Sequence, residues 1–349
     1  MKPVATGLLE VIQPGFGTTV QDAGRTGYRH MGIPLSGWLD PGLAAAANAL
    51  VGNQGDEAVL ELRGMGTELR VQTGPVRVAL AGAASARWVH ADGKSTALPA
   101  WQSATLPAGD RLVLGPAESG CAYLALSGGC RLPVQLGSRS SYWRAGFSGL
   151  QGRALQPGDA LPCGRWTSPD PREFRARSPW QVGDGPIRVM LGPQQDHFDA
   201  AAIESFLSQA WEATAEQDRM GIRLRGLPLR HVRPAAADIV SDAVSPGAIQ
   251  VPASGQPIVL LADSQTVGGY PKIATVIRAD WPRLAHLRPG TRLRFRAVDR
   301  REAQHALASQ QADWARWLAS RETFVPAGFV DESALYRANL VSGMLLATV

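Results

Sequence analysis

RPGTRLRFRA, residues 288–297, follows a plan met twice earlier in the chain, in PAGDRLVLGP (107–116) and QPGDALPCGR (156–165). In each, a Pro-Gly or Pro-x-Gly turn leads into a strand of alternating apolar and polar residues. Glycine supplies the positive φ that a tight turn needs, and period-two alternation marks a strand. The spacing suggests two related halves, each ending on such a strand. Around these units lie 38 Gly and 25 Pro in 349 residues, without a collagen period. That much punctuation favours short strands over long helices.

Further strands are expected at 68–72, 77–81, 123–127, 187–191 and 258–262. Several are continuous apolar runs, the pattern of strands buried on both faces. Helices are few. Residues 40–52 read as one, with Asp40 as N-cap, Pro41 in the first turn and Gly52 as the stop. A second is expected within 200–215, with Ile203, Phe206, Leu207 and Trp211 at helical spacing, and a third near 301–320. Residues 167–185 read as a linker, rich in Pro, Gly and Ser and without periodicity. The expected organisation is a first domain over 1–166, the linker, a second domain over 186–300 and a C-terminal helix and tail over 301–349.

Composition narrows the function. Hydrophobic residues are 45% and charged residues 19%, the balance of a globular protein. The net charge is +5, yet the 35 basic residues are interspersed with 30 acidic ones and form no run, so nucleic acid is not the expected partner. Cys121, Cys130 and Cys163 are odd in number and form no CxxC. The six histidines lack metal-site spacing, so no metal is expected. The amino-terminal residues do not read as a signal peptide, and the apolar stretch 340–349 is too short to span a bilayer, so no membrane is implied and the expected compartment is the cytoplasm.

Four segments could carry chemistry. In 13–40 (QPGFGTTVQDAGRTGYRHMGIPLSGWLD), glycines bracket Gln21, Asp22 and Arg25; this is a binding pair on a close-approaching backbone or a structural ion pair. In 136–155 (LGSRSSYWRAGFSGLQGRAL), Ser138, Arg139, Ser140 and Arg144 form either an anion grip or a polar loop. In 216–226, Asp218 and Arg219 precede Met220-Gly221 and a strand. In 240–284, an apolar strand ends in Asp263-Ser264-Gln265-Thr266, and Gly268-Gly269 lead to Tyr270-Pro271-Lys272. Lys272 either holds an anion or snorkels at a strand end.

TTVQDAGRTGYRHMGIPLSGWLD, ANALVGN, LGSRS, RAGFSG, DRMGIRLRG, SDAVSPGAIQVP and GQPIVLLADSQTVGGYPKIATVI together resemble the KipA-like proteins, the carboxyltransferase A/B family. That family includes the C-type subunit of 5-oxoprolinase, and the carboxyltransferase region of urea carboxylase is similar to it. Leu39, Gln217 and Ser264 depart from it, standing where Met, Ser and Arg are usual. The resemblance implies a mainly β fold of two tandem cyclophilin-like β-barrel domains with a few short helices. It implies two partners, a KipI-like B-type subunit and an A-type subunit of 5-oxoprolinase. It also implies ATP used by the complex, without fixing which chain binds it. The chain carries no biotin-attachment hairpin. For ring opening of 5-oxo-L-proline, Asp22, Asp263 and Lys272 become the catalytic candidates. Gln21, Arg25, Arg139, Asp218, Arg219, Gln265 and Tyr270 become the substrate-binding ones, with Arg139 and Arg219 expected on accessible turns. Carboxyl transfer to urea or a similar amide, and sequestration of a KipI-like protein, are the alternative roles.

Overall fold

The computed structural model describes residues 6–168, 170, 172–181 and 183–326. The stretch 340–349 and the tail that contains it lie outside the described residues.

Two antiparallel sheets build the first half. One has six strands, in the order Ala160–Gly164, Thr6–Gln13, Glu68–Thr73, Arg111–Leu114, Ala86–Val89, Ser95–Leu98. The other has five, in the order Thr19–Gln21, Val59–Leu62, Ala122–Leu126, Val76–Ala81, Ser103–Leu106. The continuous apolar runs have the expected cause. Along the five-stranded sheet Leu60, Val78, Leu80 and Leu124 point into a core shared with Leu9, Val11, Leu69 and Leu112. The alternate residues Val59, Ala79, Ala81, Tyr123 and Ala125 point the other way, into a second core. Helix α1 (Pro41–Val51) covers that outer face with Leu43, Ala47 and Leu50. Its ends are as the sequence indicates: the Asp40 carboxylate accepts from Leu43 N at 3.0 Å, and Gly52 has φ 79°.

The second half is one eight-stranded sheet. Its order is Arg292–Leu293, Trp211–Gln217, Gly221–Arg225, Ile258–Leu260, Ala248–Gln250, Lys272–Val276, Ile187–Leu191, Phe295–Ala297. The two edge strands are consecutive in sequence, separated by Arg294 alone. Leu293 pairs with Trp211 on one side, and Phe295 pairs in parallel with Ile187 on the other. The turn–strand unit 288–297 therefore closes the barrel. The turn glycines of the three units, Gly109, Gly158 and Gly290, have φ of 94°, 83° and 85°.

The 200–215 expectation needs correction. Helix α2 (Ala200–Ser208) is capped by Asp199 and ends there; Trp211 begins a strand. The helical spacing of Phe206 and Trp211 is real, and their rings lie 6.3 Å apart, but pairing with Gly221–Arg225 recruits Trp211 into the barrel. A short helix α3 (Trp281–Leu284) follows, then α4 (Arg300–Ala319), the helix expected near 301–320. From α4, Trp314 and Trp317 reach back to Trp180, and Trp317 also meets Trp101. Glu322–Phe324 then pairs with Glu173–Arg175, so the segment between the halves is partly strand. No helix of the described residues is long and apolar enough to cross a membrane.

Phe206 is fully buried and stacks on Phe295 of the closing strand at 4.7 Å. Phe206→Ala is expected to lower stability by about 3–5 kcal/mol, measured by urea denaturation; a loss below about 1 kcal/mol would show that the closure does not depend on this contact.

Candidate functional site

Arg219 sits at the tip of the hairpin joining Trp211–Gln217 to Gly221–Arg225. Its Nη1 donates to Glu61 Oε1 of the first half at 2.5 Å, its Nε to Asp263 Oδ2 at 2.8 Å and its Nη2 to the Gly37 carbonyl at 2.5 Å. It is therefore not on an accessible turn as expected, but clasps the two halves. Burial pushes the Glu61 carboxyl up, but Arg219, Arg63, Tyr123 and Leu39 N together outweigh it and hold the group below the usual range. Arg219 is correspondingly raised by Asp263 and Glu61 against its own desolvation.

The network continues. Tyr123 donates to Glu61 Oε2 at 2.7 Å and accepts from Asp40 N at 2.9 Å. Asp40 Oδ2 lies 2.9 Å from His286 Nε2, and His286 Nδ1 faces the Ser119 carbonyl. Both ring nitrogens thus meet acceptors, an arrangement that only the imidazolium satisfies. Burial lowers its pKa, but Asp40 and Ser119 outweigh that, and the net direction is up from 6.5.

The glycine-rich segment 13–40 folds onto itself beside this clasp. A Cβ on Gly24 would lie 2.6 Å from the Leu35 carbonyl, and one on Gly37 2.8 Å from the Asp22 carbonyl, so both positions need glycine. Asp22 is saturated: its carboxylate accepts from Gly24 N, Arg139 N and the hydroxyls of Ser138 and Ser140 at 2.5–2.9 Å. Gln21 donates to Thr19 Oγ1 and the Ser141 carbonyl. Arg25 is fully buried, donates to the Ser140 carbonyl and lies 5.0 Å over the Phe147 ring; desolvation lowers its pKa. Arg139 turns away, its Nε donating to the Leu132 carbonyl at 2.9 Å.

In front of the clasp lies a cleft of about 520 Å³ on the outer face of the second barrel. Ile222, Leu224, Val259, Leu261, Ile249 and Val251 fill the barrel interior. The alternate positions Gly221, Arg223, Ile258, Leu260 and Gln250 face out into the cleft, with Gln217, Asp218, Gln265 and Tyr270. Gln265 donates to Gln250 at 3.2 Å, and Asp218 is occupied with Met220 N and Gly221 N of its own turn. The first half adds one side chain, Arg144.

Of the sequence candidates, the structure gathers Asp218, Gln265 and Tyr270 at this cleft. Gln21, Asp22, Arg25, Arg219 and Asp263 stand behind it in or beside the network between the halves. Lys272 is buried, its Nζ 2.6 Å from Asp242 Oδ2 and 2.9 Å from the Ala243 carbonyl, pinning the strand Asp242–Ala243. Gln250 was missed by sequence reasoning; its signal is the strand parity that places it opposite Ile249 and Val251. A second cleft, of about 750 Å³, opens on the first half beside Trp88, Trp166 and Phe324. Its charged floor is Arg77, whose Nε meets Glu173 at 2.9 Å and Thr105 and whose Nη2 donates to the Arg172 carbonyl. No group of three His, Cys, Asp or Glu that could hold a metal occurs among the described residues.

Comparison with known proteins agrees with this architecture. The family described as "Carboxyltransferase domain, subdomain A and B" matches residues 31–297. The chain is 36% identical over 307 residues to the C-type subunit of 5-oxoprolinase from Escherichia coli (strain K12), covering 87% of this chain and 96% of that one. It is 29% identical over 342 residues to "Urea amidolyase" of Lachancea kluyveri, covering 89% of this chain but 18% of that one. The crystal structure of the K. lactis urea amidolyase superposes with a TM-score of 0.77 at 27% identity, over 93% of this chain and 20% of that one.

Two outcomes follow for the network. Arg219→Ala leaves Glu61 and Asp263 without their cation and is expected to cost about 3–5 kcal/mol in chemical denaturation, where an exposed arginine would cost at most about 0.5 kcal/mol. His286 has a folded-state pKa above its ordinary 6.5, so its contribution is fully present below pH 6.5 and is lost as pH rises through the raised value. The melting temperature should therefore fall with rising pH over that window in the wild type and stay flat in His286→Asn; parallel curves would show that the histidine does not bear on stability.

Proposed function

The chain belongs to the carboxyltransferase family of subdomains A and B, and on that premise we propose that it is the C-type subunit of an ATP-dependent 5-oxoprolinase, which opens the lactam of 5-oxo-L-proline to L-glutamate. One observation carries this reading: the match spans 96% and 93% of two free-standing proteins named as C-type 5-oxoprolinase subunits, against 16–24% of the urea amidolyase and carboxylase relatives.

The chemistry suits the cleft. A lactam carbonyl is a poor electrophile. Transfer of the γ-phosphoryl of ATP to its oxygen allows water to add at the carbonyl carbon; the C–N bond then breaks, leaving glutamate, ADP and phosphate. The substrate must be held by its amide and its carboxylate, and charge on oxygen must meet preorganised donors. On this reading Gln265, Gln250 and Tyr270 contact the substrate. Asp263 and Arg219 hold the hairpin that carries Gln217 and Asp218, Lys272 holds the Asp242–Ala243 strand, and Asp22 with Arg25 and Gln21 holds the first-half loop. ATP is used by the complex as a whole, and the chain carries no GxxxxGK loop followed by Ser or Thr. The partners are the KipI-like B-type subunit and the A-type subunit, and the compartment is the cytoplasm.

Carboxyl transfer to an amide is the second reading, favoured by the superposition on urea amidolyase over 93% of this chain. The two separate on reconstitution. Co-expressed with its A-type and B-type partners, the chain should support ATP-dependent glutamate release from 5-oxoproline, and alone it should not. Glutamate release by the single chain, or none by the full set together with carboxylation of urea when a biotin carboxylase is supplied, would overturn the proposal.

A further inference from the structure

The loop that the first half sends over the cleft is braced at its base and holds Trp143 and Arg144 out. Tyr142 and Phe147 exchange backbone hydrogen bonds at 2.9 and 3.2 Å, and between them Trp143–Ala145 forms a single 3-10 turn closed by Gly146 at φ 58°. Its base is braced on several sides. Buried Arg25 lies over Phe147 and bonds the Ser140 carbonyl; Ser148 N donates to Gln135 Oε1 at 2.9 Å, and Ser148 Oγ to the Ser138 carbonyl at 3.1 Å. Ser148 and Gln151 hold φ of 60° and 58°, strain that persists only when the surroundings over-determine it. At the tip stands Arg144.

We propose that Arg144 is the specificity-determining cation of the cleft, gripping the carboxylate of a small substrate whose amide faces the glutamines opposite. The proposal rests on the reading that this cleft holds the substrate. Of the other arginines nearby, Arg219 is held by Glu61 and Asp263, Arg139 gives its Nε to the Leu132 carbonyl, and Arg223, on the cleft wall, pairs with exposed Glu216 at 3.0 Å. Arg144 lines the cleft and makes no hydrogen bond or ion pair with any other described residue. The opposite wall carries Gln217, Gln250, Gln265 and Tyr270, which donate and accept as an amide requires. The same wall also carries Asp218, which repels a carboxylate, and Glu216, whose charge is paired with Arg223. An anionic amide therefore has one favourable orientation, carboxylate toward Arg144 and amide toward the glutamines. A guanidinium fork suits a planar carboxylate better than an ammonium does.

The test compares Arg144→Gln and Arg144→Lys with wild type in the reconstituted complex. It is paired with calorimetric binding of 5-oxo-L-proline and of 2-pyrrolidinone, the same lactam without the carboxylate. Arg144→Gln should raise KM for 5-oxoproline about ten- to a hundredfold with kcat within about threefold. It should keep the wild-type melting temperature and bind 2-pyrrolidinone as wild type does. Arg144→Lys should recover part of the loss. An unchanged KM in Arg144→Gln would overturn the assignment while leaving the oxoprolinase reading intact. If the wild-type complex releases no glutamate, that reading fails and the binding arm decides alone. Tighter binding of 5-oxoproline than of 2-pyrrolidinone, erased in Arg144→Gln, upholds the grip; equal binding of the two, binding of neither, or a preference that survives the substitution overturns it.

Discussion

One guanidinium ties this molecule together. Arg219 donates to a carboxylate of the first half, a carboxylate of the second and a backbone carbonyl of the glycine-rich segment. A buried charge is costly unless its partners satisfy it fully, and here a planar fork meets acceptors in three directions. The consequences spread outward from Glu61. Its second oxygen orders Leu39 N and Tyr123, Tyr123 orders Asp40, and Asp40 both starts α1 and meets His286. Helix α1 in turn covers the outer face of the five-stranded sheet and shares a core with the second barrel. The halves are thus joined by apolar packing that gives adhesion and by a polar line that gives register.

The same arrangement separates support from contact. Asp22, with donors to both oxygens, has little left for a ligand, and Arg25 lies over a ring with Nη2 on a carbonyl, its buried Nε and Nη1 without a partner among the described residues. These groups shape loops. What they shape is an outer barrel wall that carries three glutamines beside Glu216, Asp218 and Arg223, facing an arginine from the other half. Two of the glutamines are oriented by neighbours: Gln265 donates to Gln250, and a Cβ on Gly268 would fall 2.5 Å from Gln250 Nε2.

Legibility in the sequence followed the range of the deciding interaction. Helix α1 could be read because its signals, Asp40, Pro41 and Gly52, are local. The strands could be read because burial on both faces leaves an unbroken apolar run, as in Val76–Ala81. The end of α2 could not, because Trp211 fits a helical face and only pairing with a later hairpin makes it a strand. Arg219 beside a glycine looks like a surface residue until Glu61, 158 positions away, is placed against it. Arg139 and Arg144 look alike in one polar loop; the direction of each side chain is set by turn geometry that composition does not encode.

The second barrel closes on residues 292–297, with Ile187–Leu191 waiting for Phe295–Ala297. During synthesis at about 5–20 residues per second, roughly five to twenty seconds separate the emergence of these strands. Throughout that interval the sheet has two raw edges, each able to pair with another nascent chain. The first half waits in the same way, since Thr6–Gln13 pairs with Ala160–Gly164, but its strands are complete by residue 164, before Ile187–Leu191 begins. The strands of the first half are therefore all available when the second begins, and α1 and Glu61 belong to the surface that the later strands meet.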